Sequence, residues 1–286
     1  MTDRLRPLWD FDDLDATEKQ FRSQLALEAS DEGRAEVLTQ LARVEGLRGR
    51  FEEGERLIEE AEAVAGASEV ARARIDLERG RLRRSSGNVE AALPLVESAF
   101  ATSFGAGELF IAVDAAHMAA LAAPDRDGFV AWTQRGIDIA ETQETAAYWL
   151  GPLLNNLGWG YYEAGELEPA LDAFERALRA REREPENPAA IELARYAIGK
   201  TLRALGRPED AVPLLEGAVA LAQSGGRPDG WLHEELAEEY AELGRESDAR
   251  EHARRALPLL LDADPSFEDS ERAARLRLLA GSEQDS

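Results

Sequence analysis

A repeat of small residues constrains the fold of this chain more than any other feature of its sequence. Five glycines lie at intervals of 38, 78, 41 and 38 residues: Gly49, Gly87, Gly165, Gly206 and Gly244. The residues seven before, five after and twelve after each of these turn glycines are all Ala or Gly. Antiparallel helices joined by a tight turn approach each other closely only where the facing side chains are small. The pattern therefore predicts helical hairpins that recur about every 39 residues.

The residues nine positions after the turn glycines are mostly large. They are Ile58, Val96, Phe174, Leu215 and Ala253. Because protein interiors are close-packed, we predict that these side chains fill the space between successive repeats.

One stretch of the chain is similar to the tetratricopeptide repeat (TPR). It runs from Leu154 to Tyr161 and continues through Ala164-Gly165 to Ala170, Phe174 and Ala177-Leu178. In residue type and spacing it reproduces the helix-turn-helix signature of that family. The resemblance covers roughly residues 34–262, with a period longer than the family's usual 34 residues, and this implies longer helices or longer loops. It implies a binding protein without indicating which partner is bound.

The predicted fold is an all-α, right-handed α-solenoid of about six TPR-like helical hairpins, with capping helices at both ends. The predicted repeats span about 34–66, 69–104, 107–142, 145–184, 188–224 and 229–262, all within one solenoid domain, 13–281. Residues 1–12 form an N-terminal tail, 265–281 a C-terminal capping helix and 282–286 a disordered tail.

Both ends of the solenoid need a cap because a terminal repeat exposes an apolar face. Asp15-Ala16-Thr17-Glu18 has the pattern of a capping box and predicts a helix that continues to about Glu28. We expect the first capping helix to bury Phe21, Leu25 and Leu27 and the last to bury Ala274, Leu276, Leu278 and Leu279.

Composition excludes several classes of function. The net charge of −24 opposes binding to nucleic acid or to an anionic membrane. With no cysteine there is neither a disulfide nor a thiolate metal site, and we expect a cytoplasmic protein. Arginines greatly outnumber the two lysines, Lys19 and Lys200, as in proteins from GC-rich bacterial genomes.

Motifs for catalysis are absent from the sequence. It has no Gly-rich phosphate loop, no paired metal-ligand spacing and no Gly-x-Ser-x-Gly motif. We therefore expect a protein that is not an enzyme and that needs neither a cofactor nor a metal, and an enzyme is a distant alternative.

The first helix of each hairpin is expected to line the concave groove of the solenoid. Five cations fall at the groove-facing offsets, namely Arg43, Arg81, Arg84, Lys200 and Arg203. Amides and aromatic residues fall there too, namely Asn155, Asn156, Trp159, Tyr162 and Tyr196. Cations, amides and aromatic rings together favour an extended acidic peptide or an anionic ligand. In the alternative interpretation, the arginines only pair with Glu78 and neighbouring carboxylates.

The hairpin at 107–142 lacks the turn glycine, so its register is open. If Met118 takes the small position before the turn, Asp114 is buried without a partner, which is costly. We therefore prefer Ala116 there, which directs Asp114 and His117 to the groove. This pair is either a ligand-binding or pH-sensitive contact or a structural bridge between helices. The other two histidines, His233 and His252, are predicted at exposed helix positions.

The N-terminal tail alternates aromatic and acidic residues from Trp9 to Asp13. Its composition complements a basic groove, but large apolar side chains near a chain end usually pack locally. We expect Trp9 and Phe11 to cap the first hairpin, and occupancy of the groove is the alternative.

Some TPR proteins hold a partner's C-terminal carboxylate with Asn, Lys and Arg on successive first helices. Asn156 matches an Asn position of that clamp, Lys200 and Arg203 supply charge at other offsets, and alanines replace its Lys-Asn pair. We expect a binding scaffold whose partner is a protein or peptide, possibly acidic. The alternative is a sensor of a small anionic metabolite or signalling peptide around His117, Asn156 and Lys200.

Overall fold

A computed structural model describes residues 3–183 and 187–281, and this part of the chain contains fourteen α-helices and no strand. The α-helices are α1 Leu14–Leu27, α2 Asp31–Leu47, α3 Phe51–Val64, α4 Glu69–Ser85, α5 Val89–Gly105, α6 Leu109–Ala122, α7 Arg126–Thr142, α8 Leu150–Glu163, α9 Leu167–Arg181, α10 Pro188–Ala204, α11 Pro208–Ser224, α12 Gly230–Glu242, α13 Glu246–Ala263 and α14 Glu271–Leu279. Three short 3-10 helices span Arg6–Leu8, Glu144–Trp149 and Pro265–Asp269.

Helices α2 to α13 form the six predicted hairpins, and α1 and α14 lie at the ends. All five turn glycines adopt the left-handed conformation, with φ between 68° and 90°. In each turn the residue after the glycine donates its N–H to the carbonyl five residues before it, for example Arg50 to Glu45 at 2.9 Å. This is the helix-ending geometry that favours glycine over residues with a Cβ. The hairpin prediction is confirmed.

All fifteen predicted small positions are buried. A Cβ placed on Gly158 would lie 2.5 Å from Cε1 of Phe174, and one on Gly199 would lie 2.7 Å from Cγ of Leu215. The large residues nine positions after the turn therefore pack against the small residues seven before it, inside one hairpin. The sequence pattern predicts these side chains in the space between repeats and does not predict this contact inside the hairpin.

The chain divides into two compact units, Met1–Leu153 and Leu154–Ser286, called unit 1 and unit 2 below. The core of unit 1 contains Phe21, Leu41 and Ile58 at one end and Ile111 and Met118 further along the chain. The core of unit 2 contains Phe174, Leu215 and Leu236, followed by a cluster around Leu260 and Leu276. The single-domain interpretation remains a prediction.

The ends of the chain differ from the predicted caps. The side chain of Asp13, and not Asp15, caps α1 by accepting from Asp15 N and Ala16 N. Leu27 is 77% exposed, because α1 directs Phe21 to the core and Leu27 to solvent. In α14 the buried residues are Ala273 and Leu276, and Ala280 directly after the helix is buried too, whereas Ala274 and Leu278 are exposed. Residue 184, which ends the fourth predicted repeat, and the predicted tail 282–286 lie outside the described residues.

Among residues 3–183 and 187–281, no helix combines the length and the apolar character that a membrane crossing requires.

Candidate functional site

The first helices of unit 1 are joined by a network of four buried or nearly buried charges. Arg81 on α4 donates from Nη2 to Asp114 Oδ1 on α6 at 2.8 Å and from Nε to Glu78 Oε2 at 2.9 Å. Arg43 on α2 lies 3.5 Å from Asp114 Oδ2 and 3.9 Å from Glu78 Oε1. Two cations therefore balance two carboxylates across α2, α4 and α6. We call the surface formed by α2, α4 and α6 the first-helix face of unit 1.

These contacts bear on the two interpretations of the arginines in unit 1. Arg43 and Arg81 pair with Asp114 and Glu78, as the alternative interpretation held, and their role as binding residues of the groove stays a prediction. Arg84 donates from Nε to the carbonyl of Leu121 at 3.0 Å. Burial would raise the pKa of Asp114, but the neighbouring guanidiniums of Arg81 and Arg43 outweigh it and lower that pKa. Asp114 is therefore ionised at neutral pH.

The preferred register of the third hairpin is confirmed. Ala116 is fully buried, and a Cβ on Gly136 of α7 would lie 3.6 Å from its methyl group. Asp114 reaches the same network as Arg81 and thereby bridges α6 to α4, as the structural interpretation of this residue held. Burial lowers the pKa of His117 to about 4, so its imidazole is neutral at physiological pH, with its ring 5.6 Å from that of Trp149.

Residues 3–11, called the N-terminal segment below, lie against the first-helix face of unit 1. Trp9 donates from Nε1 to Gln40 Oε1 of α2 at 3.0 Å, and the Arg43 guanidinium lies 5.1 Å from its ring centre. Asp3 Oδ1 accepts from Arg74 Nη2 of α4 at 2.6 Å. The Trp9 ring also stacks on Phe11 and meets Phe21 of α1 edge-on. Trp9 therefore packs on the capping helix and on the first-helix face at once, so the two alternatives for the tail are not exclusive.

The first helices of the hairpins in unit 2 are α8, α10 and α12, and we call the surface that they form the first-helix face of unit 2. The other predicted site residues lie on this face. Trp159 on α8 meets Tyr162 and Phe174 edge-on at 5.5 and 5.1 Å. Asn155 and Asn156 are half-buried on the same helix, as is Tyr196 on α10. Lys200 lies 5.9 Å from the ring centre of Tyr196, so an ammonium group and aromatic rings lie side by side on this face.

The two predicted site cations of unit 2, Lys200 and Arg203, share the carboxylate of Glu235, which the sequence did not indicate as a site residue. Arg203 donates from Nε to Glu235 Oε1 at 2.6 Å, while Lys200 Nζ lies 3.6 Å from Glu235 Oε2. Glu235 is 3% exposed, so these cations compensate a buried charge. Arg203 is committed to this pair, whereas the Lys200 ammonium group makes no hydrogen bond with any residue that the structure describes.

The predicted exposure of two histidines in unit 2 is wrong. His233 is 3% exposed and His252 is half-buried, because α12 and α13 pack their facing sides together. Their Nδ1 atoms lie 2.9 Å apart, and burial lowers the pKa of both imidazoles. Within the described ranges no group of three or more His, Asp or Glu side chains is arranged to hold a metal ion.

Unit 2 also contains a cleft of about 450 Å³ beside the start of α12. Leu193, Tyr196, Trp231 and Leu259 form part of its lining, and the bidentate ion pair between Arg227 and Glu192 lies at its edge. Sequence periodicity gave no sign of this cleft, because its lining residues come from three helices and a loop.

Comparisons with known proteins agree with the helical-hairpin fold. A family model described as "Tetratricopeptide repeat" matches residues 153–184. None of the curated protein sequences compared with the chain matches it. The matched segment is therefore identified as a tetratricopeptide repeat, and the fold of the chain is that of tetratricopeptide-repeat proteins.

Solved structures share this fold at low sequence identity. A signal transduction ATPase with a tetratricopeptide repeat sensor from Pyrococcus horikoshii has a TM-score of 0.72 at 15% identity, and the match covers 93% of this chain and 42% of that one. The quorum sensor NprR from B. thuringiensis has a TM-score of 0.58 at 14% identity, with 97% and 84% covered. A Rap protein complexed with competence and sporulation factor has a TM-score of 0.56 at 16% identity, with 96% and 88% covered.

Proposed function

We propose that this protein is a non-catalytic cytoplasmic scaffold that binds an extended peptide or protein segment on the first-helix faces of its hairpins. The main evidence for this proposal is the way in which the N-terminal segment is bound. Nine residues outside the α-helices are held on such a face by an ion pair, an indole-to-amide hydrogen bond and cation–π contacts. A face that holds its own chain in this way has the chemistry to hold another chain.

The first-helix face of unit 2 offers the same groups to a partner. Trp159, Tyr162 and Tyr196 are only half-buried, and they supply rigid surfaces for apolar or backbone contacts. The uncommitted N–H donors of Lys200 suit an acidic side chain. We therefore propose that the segment bound here contains at least one Asp or Glu, placed at Lys200.

A peptide-display experiment on the full chain tests this proposal. Random 12-residue peptides are selected for binding, and the affinity of the selected peptides is measured by fluorescence anisotropy against wild type and Lys200→Gln. Arg203 continues to pair with Glu235 in the variant, so the fold is preserved. Loss of a charge-assisted hydrogen bond is worth about 1.5–3 kcal/mol, or roughly 10- to 150-fold in affinity.

The chain provides its own control, because Lys19 is its only other lysine and lies on α1. Lys19→Gln makes the same change of charge in unit 1, and we expect it to leave the affinity unchanged. Selection of no peptide, or equal affinities for the two variants, would contradict the proposed site.

A sensor of a short signalling peptide is the second candidate. The structural likeness to the quorum sensor NprR favours it, since the same fold serves that role there. His117 does not support a pH-sensitive version, because its imidazole is buried and neutral. A thermal-shift screen of anionic metabolites and short peptides tests this candidate, since a ligand at 100 times its Kd raises stability by about 2.7 kcal/mol.

A further inference from the structure

The N-terminal segment contacts the first-helix face of unit 1 and the neighbouring 3-10 helix Glu144–Trp149. On the face, Asp3 pairs with Arg74 of α4, Arg4 pairs with Glu36 of α2, and Trp9 donates to Gln40 of α2. Arg6 donates from Nη2 to Tyr148 Oη of the 3-10 helix at 3.1 Å. A single turn of 3-10 helix, Arg6–Leu8, lies between the contacts of Asp3 and Trp9.

Two buried hydrogen-bond donors beside the segment are not satisfied by it, one on the first-helix face and one on the 3-10 helix Glu144–Trp149. Arg43 Nε and Trp149 Nε1 are buried and have no hydrogen-bond partner among the residues that the structure describes. Both side chains line a cavity of about 30 Å³ under the segment, together with Asp3, Trp9 and Phe11 of the segment itself. Buried N–H groups without an acceptor are rare in proteins, and a cavity of this size accepts a single small polar group. A ligand that places an oxygen atom here would satisfy them.

Charge adds a second requirement on a ligand. Arg43 and Arg81 are balanced by Glu78 and Asp114 within the face, whereas the buried Arg74 pairs with Glu36 at 3.2 Å and with Asp3 of the segment. If the segment leaves, this buried guanidinium loses one of its two carboxylates, and a replacement carboxylate is favoured because an unpaired buried charge is costly.

We propose that this face is a docking site for an extended segment of another protein, and that the N-terminal segment is its built-in competitor. The partner segment presents an acidic side chain to Arg74, an aromatic side chain at the Trp9 position about six residues later, and an oxygen acceptor to Arg43 and Trp149. The inference rests on the proposed function, in which first-helix faces bind extended chains. A covalently attached competitor has a high effective concentration, so the partner binds weakly until the segment is loosened.

The test uses the full chain and a fluorescein-labelled peptide with the sequence of residues 1–12 as a probe for the partner. Two variants loosen the resident segment: Trp9→Ala removes its aromatic anchor, and Asp3→Asn removes the charge beside Arg74. Anisotropy titrations should show binding at least 10-fold tighter for each variant than for wild type. Asp12→Asn, at an exposed position just beyond the segment, is the matched control and should bind the peptide as weakly as wild type does.

The face itself is tested by adding Arg74→Gln to Asp3→Asn, which should abolish the gain in affinity. If Trp9→Ala fails to fold, Asp3→Asn decides alone, since it leaves the packing of Leu5 and Trp9 intact. Folded variants that bind the peptide no tighter than Asp12→Asn would overturn the inference, as would a gain that persists with Arg74→Gln. Because Lys200→Gln and its selected peptides probe unit 2, the proposed function can fail or hold independently of this result.

Discussion

Gly158 and Phe174 provide a sharp test of the packing that defines the hairpins. A Cβ on Gly158 would lie 2.5, 2.6 and 2.8 Å from Cε1, Cδ1 and Cζ of Phe174. The Phe174 ring is fully buried and meets Trp159 edge-on, so it has little room to move. In Gly158→Ala, alanine favours the helix over glycine by about 1 kcal/mol, while overpacking costs about 1–3 kcal/mol. We expect a net loss of up to about 2 kcal/mol.

Gly217 on α11 is the matched control for this variant. Its nearest neighbour would be Nη1 of Arg195 at 3.1 Å, the end of a flexible side chain, so Gly217→Ala should retain the helix gain of about 1 kcal/mol. The two variants should therefore differ by about 1–3 kcal/mol in urea unfolding. Phe174→Leu should cost less in the Gly158→Ala background than in wild type. Equal urea midpoints for Gly158→Ala and Gly217→Ala would refute the packing argument.

Two further predictions concern buried charges. Arg81→Met leaves Glu78 and Asp114 with only the longer contacts of Arg43, so thermal unfolding should show a loss of stability of about 3 kcal/mol. Arg84→Met is the control and should cost less than about 1 kcal/mol. Similar losses of stability for both variants would contradict the network. Burial raises the pKa of Glu239 to about 8, above the value of about 4.3 in the unfolded chain. The folded state therefore binds a proton that the unfolded state releases, and the stability that this proton contributes is present below pH 4 and lost as the pH rises to 8. Wild type should accordingly lose stability relative to Glu239→Gln between pH 5 and 8, and parallel pH profiles would count against this.

The hairpins were predictable from the sequence because their constraint is local and repeated. A left-handed turn that favours glycine and a close helix contact that requires Ala or Gly recur in five of the six hairpins. Even the hairpin without a turn glycine could be aligned, since the other register would have buried Asp114 without a partner. The ends of the chain were predicted less well, because a capping helix has no repeat to set its phase, and Leu27 accordingly lies on the exposed side.

The ion pairs of the site residues were harder to predict than the hairpins, although the spacing of the repeats gives information about them. Neighbouring first helices exchange ion pairs between residues about one repeat apart, as Arg81 with Asp114 and Arg203 with Glu235, at separations of 33 and 32 residues. The capping helix α14 pairs in the same way with α12, through Arg272 and Glu234 at a separation of 38 residues. A search for opposite charges at this separation would have found Glu235, which was overlooked. The buried His233 could not be found in this way, because the packing of α12 on α13 decides its exposure.

The N-terminal segment links the specificity of the unit 1 face to the stability of its core. Leu5 and Trp9 belong to the same apolar cluster as Phe21, so displacement of the segment exposes part of that cluster. An acidic peptide without an aromatic side chain would replace the ion pair to Arg74 and leave the apolar surface at Phe21 exposed to water, which opposes its binding. A peptide with an aromatic side chain but no acid would instead leave Arg74 with Glu36 alone. Loss of the acidic residue and loss of the aromatic residue therefore each weaken binding for a separate reason. We infer that the face selects a partner segment that has both residues, and that net charge alone does not determine its partner.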